Sequence, residues 1–343
     1  MARKRIDTGK IRLTEVAQLA GVSHITASRF FRNPEALSPA KRERVESAAK
    51  ELGYVPNLAA RALASQRTEV IGVVIPSLTN NVFSDVLRGI YDASEGSRYS
   101  IQFVNTRYSI LQEEKLLRLF QAQTPAGLIV TGINQTPESR KVMETMQCPI
   151  VQIMETGPDP VDMMIGFSHY DATVAAVSHL IEQGRKRIGF LGARLDPRVQ
   201  RRLEGYRDAM KAAGLSDPRL MVTTPQPTAV TLGGTMFADL LAQSPDIDAV
   251  FCVNDDLALG VLFECQRRQI AIPEQIAIVG FNDMEFMAAA VPSLSSVRTN
   301  RYEMGKNAIA MVTAAIEGHR PEQRTVDLGF ELMIRQSSQP SRG

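Results

Sequence analysis

Leu13-Thr-Glu-Val-Ala-Gln-Leu-Ala-Gly-Val-Ser-His-Ile-Thr-Ala-Ser-Arg-Phe-Phe31 is the stretch on which the reading of this 343-residue chain turns. Leu13, Val16, Ala17 and Ala20 recur at i, i+3, i+4 and i+7, one apolar stripe on a helix of about two turns. Gly21 stops that helix, because a tight reversal favours the positive φ that glycine adopts cheaply. Ser23 then offers a hydroxyl to the unpaired amides of a second helix beginning near His24. Its apolar positions Ile25, Ala27 and Phe31 are expected to pack inward, leaving His24, Thr26, Ser28 and Arg29 outward. Ser38-Pro39 supplies a cap and a first-turn proline for a third helix, about Pro39 to Leu52, closed by Gly53. The layout is that of a helix-turn-helix, whose second helix meets bases and phosphates in the DNA major groove. A helical hairpin within some larger core has the same spacing.

Charge separates these readings. Residues 1 to 67 hold thirteen Lys/Arg against six Asp/Glu, whereas residues 68 to 343 hold 26 against 31. The formal total of +2 therefore joins a head of +7 to a body of −5. A phosphate-binding head fused to a regulatory body has that asymmetry, since each neutralised phosphate releases condensed counterions.

After a head of this size the remaining chain is long enough for two lobes. No apolar run approaches the ~20 residues of a membrane span, and Met1 to Asp7 lacks a secretion signal's apolar stretch. The expectation is a cytoplasmic protein with no membrane partner. Cys148, Cys252 and Cys265 lie in or beside apolar segments and read as buried thiols. His24, His169, His179 and His319 have no tight ligand spacing, so neither metal nor other cofactor is expected.

From Glu69 onward, short β-branched runs alternate with helical patterns. Strands are expected at 70–75, 101–104, 127–131, 150–154 and 163–167, with helices near 81–95, 110–122 and 138–146. A second set of strands follows at 188–191, 220–223, 249–253 and 276–280. Continuous apolar strands joined by helices mean parallel sheets covered on both faces, and paired lobes of this kind bind small ligands where the strands end. Asn254 and Asn282 sit in such loops with donor and acceptor capacity suited to a polyhydroxylated ligand. Asp255, Asp256 and Asp283 read equally well as helix caps. Arg194, Arg198, Arg201 and Arg202 crowd the loop and helix start after 188–191; most are expected in solvent, with one directed at a carboxylate in the cleft. Neither a P-loop nor a dinucleotide-binding glycine pattern nor a nucleophile elbow is present, which argues against an enzyme.

These residues together resemble the lactose/galactose repressor (LacI/GalR) family. The likeness rests on Val16-Ala17, Ala20-Gly-Val-Ser23, Thr26, Ser28-Arg29 and Leu52-Gly-Tyr-Val-Pro-Asn57 in the head. In the body it rests on Ile71-Gly-Val73, Asn254-Asp255, Ala258, Gly260 and Val279-Gly-Phe-Asn-Asp283. Within the family, Ile75-Pro-Ser-Leu-Thr-Asn80, Val86-Leu-Arg-Gly-Ile90, Leu191-Gly-Ala-Arg-Leu-Asp196 and Phe263-Glu-Cys-Gln-Arg267 look most like gluconate-utilisation repressors. Many members carry Asp where this chain has Asn282.

The resemblance implies an all-α helix-turn-helix head (1–56), a hinge (57–67) and a periplasmic-binding-protein-like α/β core. The core's first lobe is 68–168 with 297–330, and its second lobe is 169–296. DNA contacts are implied for Arg12, Ser23, His24, Ile25, Thr26, Ser28, Arg29 and Asn57, with Leu63 of the hinge as a minor-groove wedge. Ligand contacts are implied for Asn80, Phe83, Phe167, Arg202, Asn254 and Asn282: Arg202 for a carboxylate, the second-lobe amides for hydroxyls, and Phe83 or Phe167 over the carbon chain. The function implied is a repressor that binds a pseudo-palindromic operator as a homodimer and is released by a sugar acid such as gluconate or 2-ketogluconate. Ligand-strengthened DNA binding is the alternative. The C-terminal tail lacks a leucine heptad, which argues against a tetramer.

Overall fold

The structure, a computed structural model, describes residues 11–55 and 68–339. It divides into two compact units, Met1–Thr68 and Glu69–Gly343. In the first, α1 (Leu13–Leu19), α2 (His24–Arg32) and α3 (Pro39–Leu52) enclose Val16, Ala17, Ala20, Ala27, Val45, Ala48 and Ala49. Gly21 (φ +61°) makes the turn, and the Ser23 hydroxyl accepts the Thr26 amide at 3.1 Å to start α2. Arg44 of α3 locks that turn, its Nε donating to the Ala20 carbonyl at 2.9 Å and its Nη2 to the Gly21 carbonyl at 2.6 Å. Ile25 departs from the sequence reading: it is 68% exposed. Small Ala27 fills the inward position, and helical rotation of about 100° per residue turns Ile25 out of the three-helix core.

The second unit contains two six-stranded sheets. The first sheet combines β1 (Val70–Ile75), β2 (Ser100–Asn105), β3 (Gly127–Thr131), β4 (Ile150–Ile153), β5 (Met163–Gly166) and β11 (Thr325–Asp327), in the order β11-β5-β4-β3-β1-β2. Its pairings are parallel, with Ile71 opposite both Ile101 and Gly127. The second sheet combines β6 (Ile188–Ala193), β7 (Met221–Thr224), β8 (Ala249–Cys252), β9 (Ala277–Asn282), β10 (Ser295–Thr299) and β12 (Phe330–Met333), in the order β12-β10-β9-β8-β6-β7. Only β12 runs antiparallel, with Thr299 opposite Phe330. The central strands β3, β4, β6, β8 and β9 are buried along their whole length, as parallel strands between helix layers must be.

Helices α4 (Ser84–Ser94), α5 (Ile110–Gln123), α6 (Pro137–Glu144) and α12 (Arg301–Ile316) dress the first sheet. Helices α7 (His169–Glu182), α8 (Pro197–Ala212), α9 (Val230–Gln243), α10 (Asp255–Arg268) and the short α11 (Glu285–Ala289) accompany the second. The chain crosses between lobes after Gly166, after Thr299 and between Asp327 and Phe330. β10 thus carries the second lobe beyond its expected limit of 296, and β12 returns there from the expected end at 330. The crossovers are bonded to one another: Leu328 N donates to the Gly166 carbonyl at 2.8 Å, and Asn300 Nδ2 to the Leu328 carbonyl at 3.1 Å. Among the described residues no helix is long and apolar enough to cross a membrane.

In the first lobe α4 and α12 meet backbone to backbone. A Cβ on Gly89 would collide with the Tyr302 carbonyl, and one on Gly305 with the Val86 carbonyl. Gly305→Ala should therefore lower core stability by about 1–3 kcal/mol, an overpacking cost read as a lower urea midpoint. An unchanged midpoint would refute the close approach.

Candidate functional site

A cleft between the two sheets encloses about 630 Å³ of empty space including its mouth. Its walls are the loops that follow strands. Asn80, Asn81 and Val82 come after β1, Tyr108 after β2 and Met154 after β4; the second lobe adds Arg194, Asp196 and Arg198 after β6, Thr228 after β7, Asn254 to Asp256 after β8, Asn282 at the end of β9 and Met284 after it. This is the carboxyl-end crevice in which open α/β sheets bind ligands.

Arg202, one turn into α8, occupies the cleft floor and is 7% exposed. Its Nη1 donates to the Val253 carbonyl, its Nε and Nη2 reach His169 Nδ1 at 3.3 and 3.2 Å, and its carbon centre stands 3.6 Å over the Phe281 ring. All of these partners are neutral. Burial pulls the guanidinium down to about 9, which leaves it charged at neutral pH. No carboxylate among the described residues forms an ion pair with it.

His169 opens α7, just past the first crossover. Its Nε2–H donates to the Met154 carbonyl at 3.0 Å, so Nδ1 is the lone pair that receives Arg202. Burial, then the Arg202 charge, hold the ring well below its ordinary 6.5 and keep it neutral. One imidazole thereby spans a first-lobe carbonyl and a second-lobe cation. Nearby, the buried Glu155 of the first lobe accepts from Arg201 Nε of the second at 3.2 Å.

The acidic residues in and beside the cleft have different fates. Asp196 caps α8 through the Arg198 and Val199 amides at 3.0 and 3.2 Å and pairs with the Arg198 guanidinium at 3.0 Å. Asp255, raised to about 6 by burial, accepts the Met284 amide and the Ser296 hydroxyl, each at 2.7 Å. Asp283 pairs with Arg298 at 2.8 Å and Arg335 at 2.6 Å. These contacts hold loops in place. The half-buried Asp256 carboxylate has no such partner among the described residues, and burial raises its pKa.

Of the residues expected at a ligand, Asn80, Arg202, Asn254 and Asn282 line the cleft, while Phe83 and Phe167 do not. Phe83 is 1% and Phe167 0% exposed; their rings lie in the hydrophobic core, Phe167 4.4 Å from His169 and Phe83 beneath Arg198 at 5.7 Å. They support the lining instead of covering a ligand, because an unsubstituted ring gains more from the dry interior than from a polar wall. Asn80 is also committed locally: its Oδ1 accepts the Val82 amide and its Nδ2 donates to the Tyr108 hydroxyl. Asn254 Oδ1 caps α10 at the Leu257 amide, leaving its amide nitrogen for the cleft. Three of the four clustered arginines, Arg194, Arg198 and Arg202, face inward where one was expected. Tyr108 was missed, although its position after β2 obeys the rule that marked the other loops.

On the head, Arg12 is exposed at the start of α1 and Ser23, His24, Ile25 and Arg29 at or near the start of α2, with Thr26 and Ser28 half-buried. Asn57, Leu63 and the hinge lie outside the described residues. No group of His, Cys, Asp or Glu among the described residues could hold a metal ion. Cys252 and Cys265 are buried, and burial pushes Cys265 up to about 12.

The His169 geometry has a pH signature. The unfolded ring accepts a proton below about 6.5 and the folded ring resists it, so this residue removes stability as pH falls from 7 to 5. His169→Asn keeps an acceptor for Arg202 and abolishes the titration. The stability gap between the parent and this variant should narrow by at most about 2 kcal/mol over that range in urea unfolding. A constant gap would contradict a buried neutral imidazole.

The family description "Bacterial regulatory proteins, lacI family" matches residues 12–57, and "Periplasmic binding protein-like domain" matches residues 177–338. The HTH-type transcriptional regulator GntR of Pseudomonas aeruginosa is 42% identical over 331 residues, spanning 96% of each chain. A solved LacI family transcriptional regulator from Silicibacter pomeroyi superposes with a TM-score of 0.89 at 32% identity, over 96% of this chain and 99% of that one. The transcription regulator GntR from Chromobacterium violaceum has a TM-score of 0.76 at 40% identity, over 78% of this chain and 99% of its own. With head and core matched in order along nearly its whole length, this chain belongs to the LacI family of DNA-binding transcriptional repressors.

Proposed function

We propose that this repressor responds to a sugar acid, gluconate or a close relative such as 2-ketogluconate, bound in the cleft and releasing the operator. The observation that carries this reading is Arg202: a buried cation, lining the cleft, whose contacts are all neutral. Each terminal nitrogen of this planar guanidinium carries two N–H groups and has one protein partner, so one N–H on each is left for a carboxylate, the bidentate match of the two groups. Asn254, Asn282 and Asp256 stand around it with donors and acceptors for hydroxyl groups. The likeness to regulators named GntR supports the same ligand class.

The ligand acts by changing how the lobes meet at the His169 and Arg201 contacts, favouring one arrangement of the core. On the DNA side, His24 and Ile25 read base edges and Arg29 lies near phosphates, with Arg12, Ser23, Thr26 and Ser28 framing them. Asn57 adds a further DNA contact, and Leu63 is the minor-groove wedge. A homodimer on a pseudo-palindrome in the cytoplasm completes the reading, since one such head covers too little DNA for tight specific binding.

Titration of operator-bound protein with gluconate and 2-ketogluconate, followed by fluorescence anisotropy, tests the ligand and its sign. Release supports the proposal; tightening would make the ligand a co-repressor. Arg202→Gln should weaken the sugar acid by about 2–5 kcal/mol while operator affinity without ligand stays the same. An unaltered titration would remove Arg202 from the site. Ile25→Ala should relax preference at one base position by about 1–2 kcal/mol with the salt slope intact, whereas Arg29→Ala should reduce that slope by about one. Equal effects on slope and preference from both would contradict these roles.

A further inference from the structure

Arg194 is the feature of the cleft that a single carboxylate leaves unexplained. It follows β6, and its guanidinium carbon stands 3.8 Å over the centroid of Tyr108, a first-lobe ring. Stacking occupies the face of the guanidinium and leaves the N–H groups of its two terminal nitrogens open, while Nε is buried. Among the described residues those groups make no hydrogen bond or ion pair, and the buried Nε is without a partner. Arg194 and Leu195 both hold positive φ, +70° and +53°, a strained pair secured by the Arg194 amide donating to the Gln226 carbonyl at 2.9 Å. The Tyr108 hydroxyl under this side chain is itself held by Asn80 Nδ2 at 2.9 Å.

The surrounding charges do not neutralise it. Asp196 is taken by Arg198 and the α8 cap, and Asp255 by Met284 and Ser296. Two guanidinium groups therefore remain without a carboxylate in contact. Arg202 lies on the buried floor, and half-buried Arg194 lies against the first-lobe wall. A ligand with one anionic group can satisfy only the first.

We infer that Arg194 forms a second anion subsite, so that the ligand is a sugar acid with a further anionic group at the opposite end of its carbon chain. This rests on the sugar-acid reading and sharpens it. The edge formed by the two terminal nitrogens donates two parallel hydrogen bonds equally well to a phosphate or a carboxylate, so a phosphorylated aldonate and an aldarate share the required chemistry. Either would bridge Tyr108 and Arg194, and with them the two lobes.

Calorimetric titration of the full chain with gluconate, its 6-phosphate and glucarate separates the possibilities. At least one of the two doubly charged ligands should bind at least tenfold more tightly than gluconate. The one that does so identifies the second group as phosphate or carboxylate. Arg194→Gln should reduce that ratio to below twofold. If gluconate binds as tightly as both, or if the ratio survives Arg194→Gln, the second subsite is overturned while the sugar-acid reading stands. Binding by none of the three overturns both.

Discussion

A buried guanidinium surrounded by neutral partners organises this core. Arg202 is drawn down to about 9 by burial, yet stays cationic because the Val253 carbonyl, the His169 lone pair and the Phe281 face each meet part of it. A protein interior tolerates such an arrangement only where preformed dipoles replace water. The consequence is directional: the His169 and Val253 contacts fix the guanidinium plane before any ligand arrives.

The same contacts lie at the junction of the lobes. His169 follows the first crossover and bonds to Met154 of the first lobe, and Arg201, the neighbour of Arg202, pairs with first-lobe Glu155. Arg301, at the start of α12, donates to the Asn282 carbonyl and pairs with Asp85 at 3.0 Å, joining the lobes again beside a residue of the cleft. A ligand that repositions Arg202 or Asn282 therefore bears directly on the interlobe contacts. Three crossovers bonded to one another offer few residues to absorb the change, the usual condition for hinge motion in two-lobed binding folds.

The site was legible where it depended on strand ends. Asn254 and Asn282 lie at the C-terminal ends of strands or just beyond them, and those ends can be read from apolar runs; Asn80 and Arg202 were singled out by the family resemblance. Phe83 and Phe167 were misplaced because position in a loop does not tell whether a ring turns to the cleft or to the core. Ile25 failed in the opposite sense: apolar character suggested burial, and helical rotation exposed it. The arginine cluster was visible as composition, but its orientation was not. Arg201 and Arg202 are adjacent on one helix, and one faces Glu155 while the other faces His169.

The sequence by itself determined the three-helix head, its Gly21 and Gly53 turns, and nine parallel strands to within a few residues, because caps, periodicity and β-branched runs act over short stretches of chain. It did not reveal β10, β11 or β12, short segments whose strand character comes from the partners beside them. Only the tertiary structure decided that Arg202 meets His169 and Val253, 33 and 51 residues away, and that Arg194 stacks on Tyr108. Those contacts require sheet register and lobe packing to be complete, so no local pattern encodes them.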